Sequence, residues 1–366
     1  MKTGGEPIGR RIIAAEPPAC HTATVPDWQQ ELARAVRDPV ELLALLGLEP
    51  AQLGPGVSAE SLRAAAAGFP VRVPHSFIAR MRHGDPQDPL LRQVLSVPAE
   101  LLAAAGYVDD PLAESAARAA PGLLQKYQGR ALLIATGACA VHCRYCFRRH
   151  YDYSADQPDA EPRWTAALRA IEADGQIEEV ILSGGDPLSL GNARLAQLLE
   201  RLGSMPRLRR IRIHTRTPIV LPARVDAGLC DALARLRERL VVVVHANHPA
   251  EIDATTTRAL RLLGTCATAV LNQSVLLAGV NDNATTLAGL SRRLFDSGVL
   301  PYYLHQLDQV AGAAHFAAGD ARAIELHAAL LATLPGYLVP RLVREEPGAS
   351  GKTPIVNGGS GEFLRP

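Results

Sequence analysis

Beyond Pro121, short β-branched runs alternate with amphipathic stretches of helical length, and no other feature narrows the choice of fold so far. The strand candidates are Ala131 to Ala135, Val180 to Ser183, Ile211 to His214, Val241 to His245, Val270 to Gln273 and Tyr302 to Gln306. Helical patterns lie between and after them at Arg163 to Asp174, Ala193 to Leu202, Asp226 to Arg239, Thr255 to Leu263, Thr285 to Ser297 and Asp320 to Thr333. Strands that alternate with helices pair in parallel through right-handed crossovers. Six such units predict an α/β fold, a partial (β/α)6 barrel rather than a closed eightfold one. Reactive groups in barrels of this kind gather at the carboxyl ends of the strands.

The first third of the chain reads differently. Trp28, Leu32, Val36, Leu42, Leu43 and Leu46 recur near helical spacing, and Ser58 to Ala67, Pro74 to Arg82 and Leu91 to Ala105 carry similar periods. The expected organisation is a poorly ordered segment at 1–26, an N-terminal helical domain at 27–120, the partial barrel at 121–345 and a C-terminal loop and tail at 346–366. A chain of 366 residues with 48% hydrophobic side chains has enough apolar material for a large core and a smaller accessory one. The run Arg10 to Ala15 is followed at once by Glu16-Pro17-Pro18, so neither a secretory leader nor a membrane span is expected. A cytoplasmic setting suits reduced cysteines. With 38 basic and 37 acidic residues there is no net field to attract nucleic acid, and 4% aromatic residues make base-stacking platforms improbable.

Cys139-Ala-Val-His-Cys143-Arg-Tyr-Cys146 directly follows the first strand candidate. A cluster held for electron transfer normally takes four cysteines, so a C-x3-C-x2-C set leaves one iron of a [4Fe–4S] cube open for another ligand. S-adenosylmethionine has amino and carboxylate groups that can chelate that iron. Zinc competes through the C-x2-C pair, but Cys230 and Cys266 do not form the matching pair, and Cys20 is likewise isolated.

Ser183-Gly184-Gly185-Asp186-Pro187 closes the second strand candidate, where paired glycines let backbone approach a ligand without a Cβ in the way. A plain strand-to-helix turn is the simpler reading of such a cluster. Gln273, at the end of the fifth candidate, is placed either to meet a nucleoside or to cap loop backbone. Arg148, just past the cysteines, has a guanidinium suited to gripping a carboxylate with two N–H groups. Near the end, Lys352 stands in a Gly-rich turn. A phosphate loop fails there on spacing, because Pro354 falls where a helix should begin. A tail lysine and an imine-forming lysine both remain.

Taken together, Cys139 to Arg149, Ser183 to Leu188, Arg216-Thr217-Pro218, Asn247-His248-Pro249, Asn272 to Val275, Pro301-Tyr302-Tyr303 and Gly351 to Pro354 resemble the motifs of lysine 2,3-aminomutases, in the same order. Three stretches, Arg72-Val73-Pro74 to Leu95, Cys143 to His150 and Asp308 to Phe316, are most similar to the branch that makes (R)-β-lysine for elongation factor P. The resemblance implies a TIM-like radical SAM barrel and an isomerase converting L-lysine to β-lysine. It implies a [4Fe–4S] cluster on Cys139, Cys143 and Cys146, S-adenosylmethionine near Ser183, Gly184, Gly185, Asp186 and Gln273, and pyridoxal 5′-phosphate held by Lys352 with Tyr127 and Arg130 near its phosphate. Arg148 would meet the substrate carboxylate. Asp308 would meet the ε-ammonium together with a second acid, which falls at Glu345 where the family has aspartate, with Glu346 adjacent. The implied partners are free L-lysine, an electron donor, and elongation factor P with its β-lysine ligase; a homo-oligomer is allowed, and neither nucleic acid nor membrane is expected. The chain lacks the family's cysteine-rich zinc tail, so zinc is not expected. The rival readings are an aminomutase for arginine, ornithine or glutamate, of which a pair of acids disfavours glutamate and leaves a cationic amino acid such as arginine open, and a non-catalytic iron–sulfur binding module.

Overall fold

Among the described residues, 28–154 and 164–356, the computed structural model shows one sheet whose strands lie side by side in chain order. They are β1 (Arg118–Ala120), β2 (Leu123–Tyr127), β3 (Arg130–Thr136), β4 (Glu179–Gly184), β5 (Arg210–Thr215), β6 (Leu240–Val244), β7 (Ala269–Val275), β8 (Leu300–His305), β9 (Arg341–Arg344) and β10 (Thr353–Pro354). Pairing is parallel from β3 to β9 and antiparallel at both ends. The edges β1 and β10 do not meet, so the barrel stays open. The segment 1–26 and Arg163 lie outside the described residues.

The six expected strands are β3 to β8. A seventh parallel strand, β9, continues the sheet beyond the expected count: Leu342 and Val343 alone, between two arginines, are too short an apolar run to register as a strand. The crossover helices follow the apolar period closely. Helix Asn192–Gly203 buries Leu195, Leu198, Leu199 and Leu202, one stripe at helical spacing turned toward the sheet. The starts of two others are fixed by side-chain caps, Asp253 accepting from Thr256 N at 2.7 Å and Asn283 from Thr286 N at 2.8 Å.

The N-terminal helices are shorter than their sequence period suggests. Leu91 to Ala105 is not one helix but two single turns, Pro89–Arg92 and Pro98–Leu101. Pro98 has no N–H and forces Val97 into an extended conformation, φ −133° and ψ 151°, which ends any helix before it. Pro74 to Arg82 likewise yields only His75–Ile78. These turns share a core with the barrel: Leu42, Leu43, Phe77, Leu90 and Leu91 pack with Ala140 and Val141 of the cysteine loop and with Val220 and Leu221 after β5. The helical region therefore presses directly on the loop that carries the cysteines. No helix among the described residues is long and apolar enough to cross a membrane.

Candidate active site

Parallel strands that splay around a barrel leave a hollow at their carboxyl ends, and here it is a cavity of about 470 Å³. Cys139, Cys143, Cys146, Gln273, Asp308, Glu345 and Lys352 all line it. Residues more than 200 positions apart in sequence thus share one hollow, because each sits on or after the carboxyl end of a strand or, for Lys352, at the start of the antiparallel β10.

The cysteine loop is pinned to β4 by backbone. Gly185 N donates to Thr136 O at 2.7 Å and Asp186 N to Ala138 O at 2.7 Å. A Cβ on Gly185 would lie 2.4 Å from Ala138 O, and Gly184, at φ +112°, would place one 2.6 Å from Thr136 O. The glycine pair is therefore required by close approach of the cysteine loop, to which the Gly185 amide is committed, and both glycines also line the cavity. Asp186 lines the cavity as well, and its buried carboxylate accepts from Leu188 N, Thr215 Oγ1, Arg216 N and Thr217 N at 2.7–3.0 Å.

Arg148 is held more firmly than its sequence setting suggests. Its Nε and Nη2 donate to both oxygens of Glu114 at 2.6 and 2.8 Å, while Nη1 donates to Ser183 Oγ at 2.9 Å and Gly184 O at 3.3 Å. The side-on fork expected for a substrate carboxylate is thus filled by Glu114, and only the second N–H of Nη2 is without a partner among the described residues. Sequence reasoning missed Glu114, which no local pattern marks. It also missed Lys126, which lies 3.2 Å from Glu114 and 3.6 Å from Glu345. A ladder of alternating charge results, Arg148, Glu114, Lys126, Glu345 and Lys352.

Lys352 Nζ donates to Glu345 Oε2 at 2.7 Å and lies 5.6 Å from the Tyr303 ring centre. Tyr127 donates to the other oxygen of Glu345 at 3.1 Å, and the Arg130 guanidinium stacks over the Tyr127 ring at 4.8 Å. Burial opposes ionisation of Glu345, but the charge and hydrogen bond of Lys352, with Lys126, hold its carboxyl down at about 2. Glu346 turns away from the cavity and accepts from Thr353 at 2.7 Å. Asp308 is the contrary case. Burial, and then the neighbouring charge of Glu345, push its carboxyl up to about 7, and it has no side-chain hydrogen bond among the described residues.

Several polar atoms of the cavity wall are buried without a partner among the described residues: Gln273 Oε1, Arg216 Nε, and Nε2 of His214 and His305. Burial keeps the imidazoles of His214, His245 and His305 neutral, His245 at about 3. Orphaned buried polar atoms are costly unless a ligand meets them.

The Radical SAM superfamily model matches residues 133–261, from β3 into helix Ala254–Cys266. The L-lysine 2,3-aminomutase of Escherichia coli K12 is 47% identical over 92% of this chain and 96% of its own length. The Haemophilus influenzae protein of the same name is 45% identical over 89% and 95%, and that of Clostridium subterminale 33% over 90% and 78%. The chain belongs to the lysine 2,3-aminomutase family. Its cofactors are accordingly a [4Fe–4S] cluster, S-adenosylmethionine and pyridoxal 5′-phosphate.

The cavity of this family member fits those groups. Three thiols open into it. Burial pushes the bare Cys146 thiol up to about 11 and Cys139 well above its usual range, so their thiolates need a positive partner, which the iron of a cluster would supply. Among the described residues no three His, Cys, Asp or Glu side chains converge on a single ion; the ligands of a cube, each on a different iron, need not. Lys352 supplies a primary amine to the same hollow, with Tyr127 and Arg130 beside it. Gln273 Oε1 and Arg216 Nε offer an acceptor and a donor to a nucleoside or amino-acid moiety.

Proposed function

We propose that this chain interconverts L-lysine and β-lysine by moving the amino group between C2 and C3, and that it acts on free lysine. The observation that carries the reading is the pair of carboxylates, Asp308 and Glu345, in the cavity that also holds the three cysteines and Lys352. Two acids at one end suit a substrate with a distal cation. Bound here, the cluster with S-adenosylmethionine supplies a hydrogen-abstracting carbon radical, and pyridoxal phosphate supplies the aldehyde that carries the migrating nitrogen.

The chain's own residues do the rest. Cys139, Cys143 and Cys146 would hold the cluster, leaving one iron open. Lys352 is the amine that receives the coenzyme, and Glu345, hydrogen-bonded to it, orients Nζ and balances its charge. Tyr127 and Arg130 stand beside Lys352 for the coenzyme phosphate. Asp308, with no side-chain hydrogen bond among the described residues, receives the substrate ammonium. The free Nη2 N–H of Arg148, aligned by Glu114, offers a single-point contact for the carboxylate. Gln273 Oε1 accepts from the nucleoside. Walls from β3 to β8 keep water and bystander side chains from a reactive carbon centre.

The product is destined for elongation factor P in this reading, in a cytoplasmic setting. The branch resemblance supports it, and so does the fact that the three stretches carrying it adjoin: Arg144 N donates to Gln93 O at 2.9 Å and Arg149 Nη1 to Gly312 O at 3.1 Å. The test is anaerobic incubation with reductant, S-adenosylmethionine, pyridoxal phosphate and either lysine or arginine, followed by chiral mass analysis. β-Lysine is expected from lysine and no β-arginine from arginine; turnover of arginine alone would replace the substrate. Intact-mass analysis of elongation factor P from cells lacking this chain checks the destination, since an unchanged β-lysyl mass would refute it.

A further inference from the structure

Arg216 follows β5 and is almost wholly buried, at 5% exposure. Its Nη1 donates to Cys143 Sγ at 2.8 Å and to the Tyr145 hydroxyl, and its Nη2 donates to Gln93 Oε1 at 2.8 Å and Glu251 Oε2 at 3.1 Å. The guanidinium is therefore clamped from two sides. Gln93 belongs to the N-terminal helical region, where its Nε2 donates to Pro89 O at 3.0 Å and to Glu251 at 3.2 Å. Glu251 follows β6 and is held in turn by the amides of Asn247 and His248 at 2.8 and 3.0 Å. Asn247 also donates to Gln93 and to Tyr145, at 2.9 and 2.6 Å. Every one of these groups is buried or half-buried, so the fork cannot turn away from the sulfur without leaving charged atoms unpaired.

We infer that Arg216 is a positioning residue that sets the reduction potential of the cluster through its hydrogen bond to the sulfur of Cys143, with Gln93 and Glu251 aiming the fork. The inference rests on the reading of Cys139, Cys143 and Cys146 as cluster ligands. Hydrogen bonds to ligand sulfur draw off electron density and favour the reduced, more negative cluster, and they are among the main determinants of its potential. Because Glu251 balances the guanidinium charge, the directed N–H carries the effect more than net charge does. The helical region thereby takes part in tuning the cluster, through Gln93.

The experiment compares wild type with Arg216→Gln and Arg216→Lys after anaerobic reconstitution, with iron and sulfide measured and no S-adenosylmethionine, coenzyme or lysine present. The reduced signal is followed by electron paramagnetic resonance at a series of fixed potentials. In both variants the reduced-to-oxidised ratio at the wild-type midpoint should fall about tenfold, equivalent to about 59 mV for one electron. Wild-type midpoints in fully loaded variants would overturn the inference. Wild type grown with guanidino-¹⁵N-arginine gives a second reading that needs no variant to fold. Its reduced cluster should show ¹⁵N hyperfine coupling, which Arg216→Lys removes when loaded, and absence of coupling in wild type would overturn the inference. A wild type that holds no [4Fe–4S] cluster at all would instead bring down the proposed function.

Discussion

Replacing Asp308 by asparagine tests the cation pocket most directly, because its carboxyl is poised near neutrality by burial and by Glu345. The ionised form is the one that binds an ammonium, so lysine affinity should rise as pH rises through about 7. For a single group of that pKa the ionised fraction grows about tenfold between pH 6 and pH 8, so KM for lysine should fall about tenfold over that interval in wild type. Asp308→Asn removes the charge and with it the limb, leaving KM flat. Truncating one partner of a buried charged contact costs about 2–5 kcal/mol, so kcat/KM at pH 8 should drop by roughly 30-fold or more. Glu345→Gln adds a signed check. It removes the negative neighbour that raises Asp308, so the remaining limb should move to lower pH. The assay is steady-state β-lysine formation from pH 6 to pH 8, with 5′-deoxyadenosine measured in parallel to separate substrate binding from radical generation. A limb that persists unchanged in Asp308→Asn would refute the assignment of Asp308 to the ammonium. For folding, the sign runs the other way. A carboxyl raised from its ordinary value favours the protonated native state, so the ligand-free chain gains stability from Asp308 at low pH and loses it as pH rises to about 7.

The other expectations can be stated briefly. Lys352→Ala should lose the coenzyme that borohydride fixes to the wild-type chain while keeping its iron; label found on another lysine by peptide mapping would move the site. Glu114→Ala leaves Arg148 buried without its two-pronged partner, which should lower the urea-unfolding stability of the ligand-free chain by about 3–5 kcal/mol. A loss under about 1 kcal/mol would show that water replaces it. Gly185→Ala drives a Cβ into Ala138 O and should displace the cysteine loop, read as lower iron content at a cost of about 1–3 kcal/mol in folding. Full iron at wild-type stability would show that the loop moves freely.

Much of this protein was legible in local sequence. Periodicity follows from the geometry of one element at a time, so the strands β3 to β8 and their crossover helices could be placed to within a few residues. The C-x3-C-x2-C spacing is a property of a single loop, and a rule about strand ends puts that loop in the cavity. Lys352 was narrowed to two readings by its Gly-rich setting, and family resemblance chose between them. Very short elements escaped: β9 has only two apolar residues, and the helical period across Leu91 to Ala105 outvoted Pro98 until the backbone showed the break.

What tertiary structure alone decided is which polar group meets which. Glu114 lies 34 residues before Arg148, and Arg216 lies 73 beyond Cys143; nothing in either local pattern encodes the other. Asp186 clasps the start of the next loop because β5 brings Thr215, Arg216 and Thr217 to its oxygens. Glu345 faces the cavity and Glu346 does not, since consecutive residues of an extended segment point to opposite sides. The same distinction governs Asp308 and Glu345, two carboxylates of one chemical type in the chain. One is raised and the other depressed because Lys352 donates its hydrogen bond to only one of them, a fact fixed by register and packing rather than by spacing along the chain.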